Sequence, residues 1–284
     1  MSAGKPTFDA GTEIAPGYEV LGYLSGGRLF DVYDVWSEER RCRCVAKTVV
    51  PERVGERAAV ARLEREAHLL RTLSHPHLVR AYDFLREPRP VAILETLGGE
   101  MLAHLVEEGG PLRPAEAGVL GLHLCSAIGY LHGSGFVHLD LKPSNVVAEA
   151  GRAKLIDLSI ARRPGRARPG VGTWCYMSPE QVTGGAVGAP ADVWGIGVVL
   201  HEALTGESLF EDDAGSQDSS EPPEHYPQLE RPAPELPRRV PGALRTVVEA
   251  CLEPDAVRRP SVEQLAAELE LVPGVPSLRG LPGG

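Results

Sequence analysis

Four side chains at fixed spacing constrain this chain more than any other feature. Asp140 is followed by Lys142, by Asn145 and, after the apolar pair Leu155-Ile156, by Asp157. Each residue alone reads as a solvated polar group on a loop. Together they supply a carboxylate able to accept a proton, an ammonium on the same loop, and an amide and second carboxylate whose hard oxygens suit Mg²⁺. Any fold built from this chain has to bring that loop and the end of that apolar run to one place.

The segment His138-Leu-Asp-Leu-Lys-Pro-Ser-Asn145, with Asp157-Leu-Ser, resembles the catalytic loop and metal-binding segment of the protein kinases. Phosphoryl transfer asks a protein for position, charge neutralisation and one group oriented at the attacking hydroxyl. The resemblance implies Asp140 as the base, Lys142 as its electrostatic helper, and Asn145 and Asp157 as holders of Mg²⁺. A Lys at this spacing marks the Ser/Thr kinases of that family.

The remaining parts fall at suitable distances. Cys44-Val-Ala-Lys47 is a short β-prone run, and strand alternation puts Val45 and Lys47 on one face. Arg57 to Leu73 reads as a helix with Val60, Leu63, Ala67 and Leu70 on its inward stripe. Glu66 flanks that stripe, and the resemblance of Leu73-Ser-His-Pro-His-Leu-Val79 to the family's loop after this helix implies Glu66 rather than Glu64 as the partner of Lys47. The resemblance gives the ATP α/β phosphates to Lys47 and adenine to Val32, Val45 and Val147, with hinge groups from Glu95 and Leu97. The glycine-rich loop aligns as Leu24-Ser25-Gly26-Gly27-Arg28-Leu29-Phe30-Asp31-Val32. Ser25, Gly26 and Gly27 are the phosphate-side candidates, although by itself this segment is a β-hairpin with a Gly-Gly turn. Phe30 stands where the family has glycine and is expected to hinder backbone approach, so a Phe30→Gly variant is expected to bind ATP more tightly.

Three later motifs separate protein kinases from small-molecule kinases. They are Gly172-Thr-Trp-Cys-Tyr-Met-Ser-Pro-Glu180, Asp192-Val-Trp-Gly-Ile-Gly197 and Cys251 through Arg259-Pro-Ser261. The resemblance pairs Glu180 with Arg259, and Asp192 reads as a helix cap. The implied fold is α+β and two-lobed, with MgATP bound between the lobes. Residues 1–15 form an extension, 16–97 a small mainly β lobe with one helix, 98–272 a mainly α lobe, and 273–284 a Pro/Gly-rich tail expected to fray. Helices are expected over Pro114–His132, Ala191–Thr205, Leu244–Leu252 and Val262–Leu271.

Composition narrows the partners. A net charge of −10 argues against nucleic acid. Glu207 to Glu230 is acidic, with no Lys or Arg, and reads as a solvated insert carrying candidate phosphorylation sites at Ser216, Ser219 and Ser220. No apolar run is long enough to span a membrane. The odd number of cysteines argues for reduced thiols and a cytoplasmic location. The expected partner is a protein substrate with a Ser or Thr acceptor, and oligomeric state is left open.

Two departures bear on regulation. Leu139 replaces the Arg that in many relatives grips a phosphate on the activation loop, and Ile160 to Gly172 has four arginines but no Ser, Thr or Tyr. The expectation is activity independent of phosphorylation there. Leu158 and Ser159 replace the Phe and Gly that follow the metal-binding Asp, and Ser159 is expected to restrict a backbone flip. The competing reading is a degenerate kinase serving as a nucleotide-binding or scaffold module.

Overall fold

The computed structural model describes residues 6–210 and 225–280. Most of the acidic insert, with Ser216, Ser219 and Ser220, lies outside the described residues. The chain divides into two compact units. One runs to Ser74 and resumes over Leu78–Gly98, and the other comprises His75–His77 and the chain from Gly99 onward.

The first unit is a six-stranded sheet with one long helix. Its strands are β1 Glu13–Ala15, β2 Tyr18–Gly26, β3 Phe30–Ser37, β4 Cys42–Val49, β5 Ala81–Leu85 and β6 Val91–Glu95, in the order β1-β2-β3-β4-β6-β5. Alternation sorts β4 cleanly. Cys44 and Ala46 join Ile14, Tyr33, Val35 and Ile93 on one face. Val49 and Ala92 meet α1, Arg57–Thr72, on the other through Ala59, Leu63 and Ala67. Cys42 and Cys44 share the first face, and burial pushes the Cys44 thiol up to about 11. All five cysteines are free. On α1 the buried stripe is Ala59, Leu63, Glu66, Ala67, Leu69 and Leu70, while Val60 is only half-buried.

The glycine-rich segment is the β2–β3 hairpin. Gly26 opposes Asp31, and the Gly27 N–H closes the turn on the Phe30 carbonyl at 2.9 Å. Neither glycine takes a positive φ. Gly26 is needed for space, because a Cβ there would collide with the Tyr23 hydroxyl, which itself donates to Asp31 Oδ1 at 3.3 Å.

Phe30 corrects the expectation drawn from the glycine pattern. Its ring turns into the cluster under α1 and lies 4.9 Å from Lys47 Nζ, with the Arg62 guanidinium 5.9 Å away. The residue is a packing element with a cation–π contact, because β3 alternation directs it to the helix face. Phe30→Gly should therefore destabilise the protein by about 2 kcal/mol or more, through lost burial and added strand flexibility, without tightening ATP binding. Thermal unfolding and nucleotide titration check this. An equally stable variant with higher ATP affinity would restore the hindrance argument.

The second unit is mainly helical. A small sheet joins β7 Glu100–Met101, β8 Val146–Glu149 and β9 Arg152–Leu155. The antiparallel partners β10 Gly165–Ala167 and β11 Gly185–Val187 form another. The helices are α2 Leu102–Gly109, α3 Pro114–Gly133, α4 Pro179–Thr183, α5 Ala189–Thr205, α6 Pro227–Glu230, α7 Gly242–Cys251 and α8 Val262–Glu270. Helices α3 and α5 are buried nearly all round and pack on each other, the pattern of core helices. Asp192 is not the cap of α5. Gly188 is, with Pro190 in the first turn, and Asp192 lies inside the helix at 1% exposure. The start of the tail contacts α8 and α3. Glu270 of α8 accepts the Leu278 N–H at 2.7 Å and the Ser277 hydroxyl at 3.2 Å, and Val275 packs on Gly118. Among the described residues no helix is long and apolar enough to cross a membrane.

Candidate active site

The first unit contributes a buried ion pair. Lys47 Nζ sits 2.8 Å from both carboxylate oxygens of Glu66, and the side chains are 9% and 1% exposed. Lys47 reaches it from the helix-facing side of β4, and Glu66 from one turn before Leu70 on α1. Glu64 points outward to Arg86. Val32 lies directly across the β3–β4 ladder from Lys47, and Val45 shares that face; both are half-buried. At the end of β6, the Glu95 N–H donates to the Arg80 carbonyl and the Glu95 carboxylate accepts from the Arg80 N–H, each at 2.9 Å. Leu97 is half-buried, and Ser25, Gly26 and Gly27 are exposed.

The second unit holds the loop network. Leu139 adopts a left-handed backbone, φ 67°, unusual for a bulky residue and costly by about 1–2 kcal/mol. Two side chains from distant segments hold it there. Asp192 accepts the N–H groups of His138 at 2.8 Å and Leu139 at 2.7 Å, and also contacts His132 Nε2 at 2.8 Å. Gln181 of α4 donates to the Leu139 carbonyl at 2.8 Å and to the Val171 carbonyl at 2.7 Å. His138 is fully buried, and burial lowers its pKa, keeping the ring neutral. Its Nδ1 accepts the Asp140 N–H at 3.2 Å.

This scaffold presents Asp140. Its Oδ1 accepts the Thr173 hydroxyl at 2.7 Å and the Thr173 N–H at 3.0 Å. Its Oδ2 lies 3.5 Å from Lys142 Nζ and accepts Asn145 Nδ2 at 3.2 Å. Lys142 also donates to the Thr173 hydroxyl at 2.8 Å. Three of the four marker residues thus form one hydrogen-bonded group, closed by a Thr from another segment.

Asp157 is beside Asn145, because the Ile156 N–H donates to the Asn145 carbonyl at 3.1 Å. The Asp157 carboxylate accepts the Ser159 N–H at 2.7 Å. Ser159 needs no positive φ, and Leu158 is buried at 2% exposure, so both replacements fit without strain. Donation by Asn145 Nδ2 to Asp140 leaves its side-chain oxygen as an acceptor, an oxygen donor like the Asp157 carboxylate. That all-oxygen donor pair fits Mg²⁺. Val147 is buried on β8 opposite Met101.

Thr173, Gln181 and Asp192 are the site residues that sequence reasoning passed over or misplaced. The available signal was position: Thr173 and Asp192 lie within the motif runs 172–180 and 192–197, and Gln181 directly follows the first. Nearby, Arg259 makes a bidentate pair with Glu180, at 2.7 and 3.0 Å.

Comparisons with known proteins identify the family. The protein kinase domain model matches residues 18–269. The chain is 33% identical over 262 residues to the serine/threonine-protein kinase PkaA of Streptomyces coelicolor, covering 84% of this chain and 47% of that one. It is 32% identical over 250 residues to PknD of Mycobacterium tuberculosis, covering 84% and 36%. It is also 32% identical over 259 residues to the probable serine/threonine-protein kinase PkwA of Thermomonospora curvata, covering 89% and 34%. The chain spans less than half the length of these relatives. With a mainly β unit bearing Lys47–Glu66 and a helical unit bearing the Asp140 loop, this chain belongs to the protein kinase domain family.

Proposed function

We propose that this chain is a catalytically active protein kinase domain that transfers the γ-phosphoryl group of ATP to Ser or Thr hydroxyls of protein substrates without needing phosphate on its activation segment. ATP with Mg²⁺ supplies the phosphoryl donor and its charge neutralisation. Lys47, oriented by Glu66, holds the α/β phosphates, and Asn145 and Asp157 hold the metal. Ser25, Gly26 and Gly27 face the phosphates. Val32, Val45 and Val147 contact adenine, with hinge groups from Glu95 and Leu97. Asp140 accepts the proton of the attacking hydroxyl. Lys142, within 3.5 Å of it, offsets negative charge as that proton moves. Thr173 fixes the Asp140 carboxylate through two hydrogen bonds.

One observation carries the regulatory half of this reading. The position from which an Arg would grip a loop phosphate is filled by Leu139, 4% exposed, in an apolar cluster with Val137, Val187 and Ala191. Ile160 and Ala167 of the activation segment pack on the same cluster. The β10–β11 ladder and the mutual backbone bonds of Val137 and Arg162 tie the segment down further. Apolar packing and backbone pairing here supply the order that a charge-assisted phosphate contact supplies elsewhere.

The test is label transfer from ATP with Mg²⁺, against an Asp157→Ala control, before and after phosphatase treatment. Incorporation well above the control is expected, with a single-turnover rate that phosphatase leaves unchanged. Incorporation equal to the control would favour a scaffold. A tenfold or larger drop after phosphatase, traced by mass spectrometry to residues 159–176, would overturn independence from loop phosphate.

A further inference from the structure

We infer that the activation segment forms a cationic docking surface that selects peptide substrates carrying Asp or Glu near the acceptor hydroxyl; this rests on the kinase reading above. From Ser159 to Pro179 the chain has four arginines and no Asp or Glu, against a net charge of −10 for the whole. That local sign reversal needs a use, because like charges this close repel one another.

The backbone fixes where these charges point. In β10, Ala167 turns inward and joins the Leu139 cluster. Arg166 and, just beyond the strand, Arg168 turn out and are exposed. Arg163 is exposed with its guanidinium over the Phe136 ring at 5.4 Å. Arg162 is tied back to the chain, donating to the carbonyls of Arg163 at 3.3 Å and Arg166 at 2.8 Å. Among the described residues, Arg163, Arg166 and Arg168 form no ion pair with a carboxylate.

The segment is held against the catalytic loop. Gln181 bridges the Leu139 and Val171 carbonyls, and its own carbonyl accepts the Gly170 N–H at 2.9 Å. Gly172 passes so close to the Leu139 carbonyl that a Cβ would sit 3.0 Å from it. Thr173 then bonds Asp140 directly. Arg166 lies on β10 and Arg168 just beyond it, in the segment that leads to Thr173 and so to Asp140; an extended peptide whose hydroxyl meets Asp140 would carry its flanking residues toward them. A guanidinium on a rigid strand suits bidentate recognition of a carboxylate.

The experiment compares peptides with one Ser or Thr acceptor and flanks of Asp/Glu, Ala, Lys/Arg or phosphoserine. It reads kcat/KM and, in parallel, peptide binding by fluorescence anisotropy. Acidic flanks should raise both readouts about tenfold over neutral ones, since an exposed pair contributes up to about fivefold and two act together. The advantage should shrink with added salt. The double variant Arg166→Gln/Arg168→Gln should bring the acidic-to-neutral ratio close to one. Charge reversal to Glu at both positions should favour basic peptides. Distorted folding would instead lower all peptides alike and leave the ratio standing, which counts against the inference. Equal use of all flanks, or selection of phosphoserine peptides alone, would overturn it while the kinase reading stands. Acidic preference in binding without turnover would support the surface and remove the activity.

Discussion

Replacing Asp140 by Asn should lower turnover by roughly 10²–10⁴-fold, the usual loss for a general base. Nucleotide affinity should be nearly unchanged. The substitution keeps the shape of a group that is mostly enclosed, with a side chain 13% exposed. An amide oxygen can still accept both bonds from Thr173, which now reach Oδ1 at 2.7 and 3.0 Å. The opposite end changes sign. Where Oδ2 now accepts Asn145 Nδ2 and faces the Lys142 ammonium, an NH₂ would meet two donors. The variant thus loses its proton acceptor, the charge that holds Lys142, and one bond that aims Asn145. Asn145 keeps its 2.8 Å bond to the Asp140 backbone carbonyl, so the proposed metal pair is retained and nucleotide affinity holds. Steady-state kinetics and nucleotide titration of the same preparation separate the effects. Activity within threefold of wild type would remove Asp140 from the role of base.

What the sequence made legible followed from periodicity and local spacing. Lys47 and Glu66 could be paired because alternation put Lys47 on one face with Val45, the helix repeat put Glu66 beside the apolar stripe, and the family resemblance of Leu73–Val79 favoured Glu66; their contact is a 2.8 Å ion pair. The same logic located α1, α3, α5, α7 and α8 to within a few residues. Thr173 was passed over because its partners lie 33 and 31 residues away, across segments that no repeat relates. Asp192 near the start of α5 reads as a cap by every local rule. Its carboxylate instead serves backbone donors 54 and 53 residues earlier, and only tertiary structure could reveal that. Phe30 failed for a different reason. A motif built on glycines treats any side chain there as an obstacle to backbone. The direction of the ring was set by strand pleat and by the apolar surface of α1.

The largest stability effect is expected at Arg259, the residue of the closing motif that directly follows the 3₁₀ turn Ala256–Arg258. Its side chain is wholly buried, and that of Glu180 is 18% exposed. The guanidinium makes the bidentate pair with Glu180 and donates to the carbonyls of Pro190 at 2.9 Å, Glu253 at 2.7 Å and Pro254 at 3.1 Å. It also lies 5.1 Å from the centre of the Trp194 ring. Every donor nitrogen is used, so the desolvation cost of burying the charge is offset by complete satisfaction. Arg259→Leu would fill much of the volume but strand a carboxylate and three carbonyls. Breaking a buried pair from one side typically costs about 3–5 kcal/mol, which for a domain of this size corresponds to a melting midpoint lower by about 10 °C. Arg259→Lys should recover only part of that, because a single ammonium cannot span both Glu180 oxygens and the backbone acceptors together. The double variant Arg259→Leu/Glu180→Leu should be less damaging than Arg259→Leu alone, since it removes the unpaired charge along with its partner. Circular dichroism melts of the three variants decide the matter. A midpoint within 2 °C of wild type for Arg259→Leu would mean that the pair contributes little, and that the segment ending at Glu180 is held by Gln181 and the apolar packing alone.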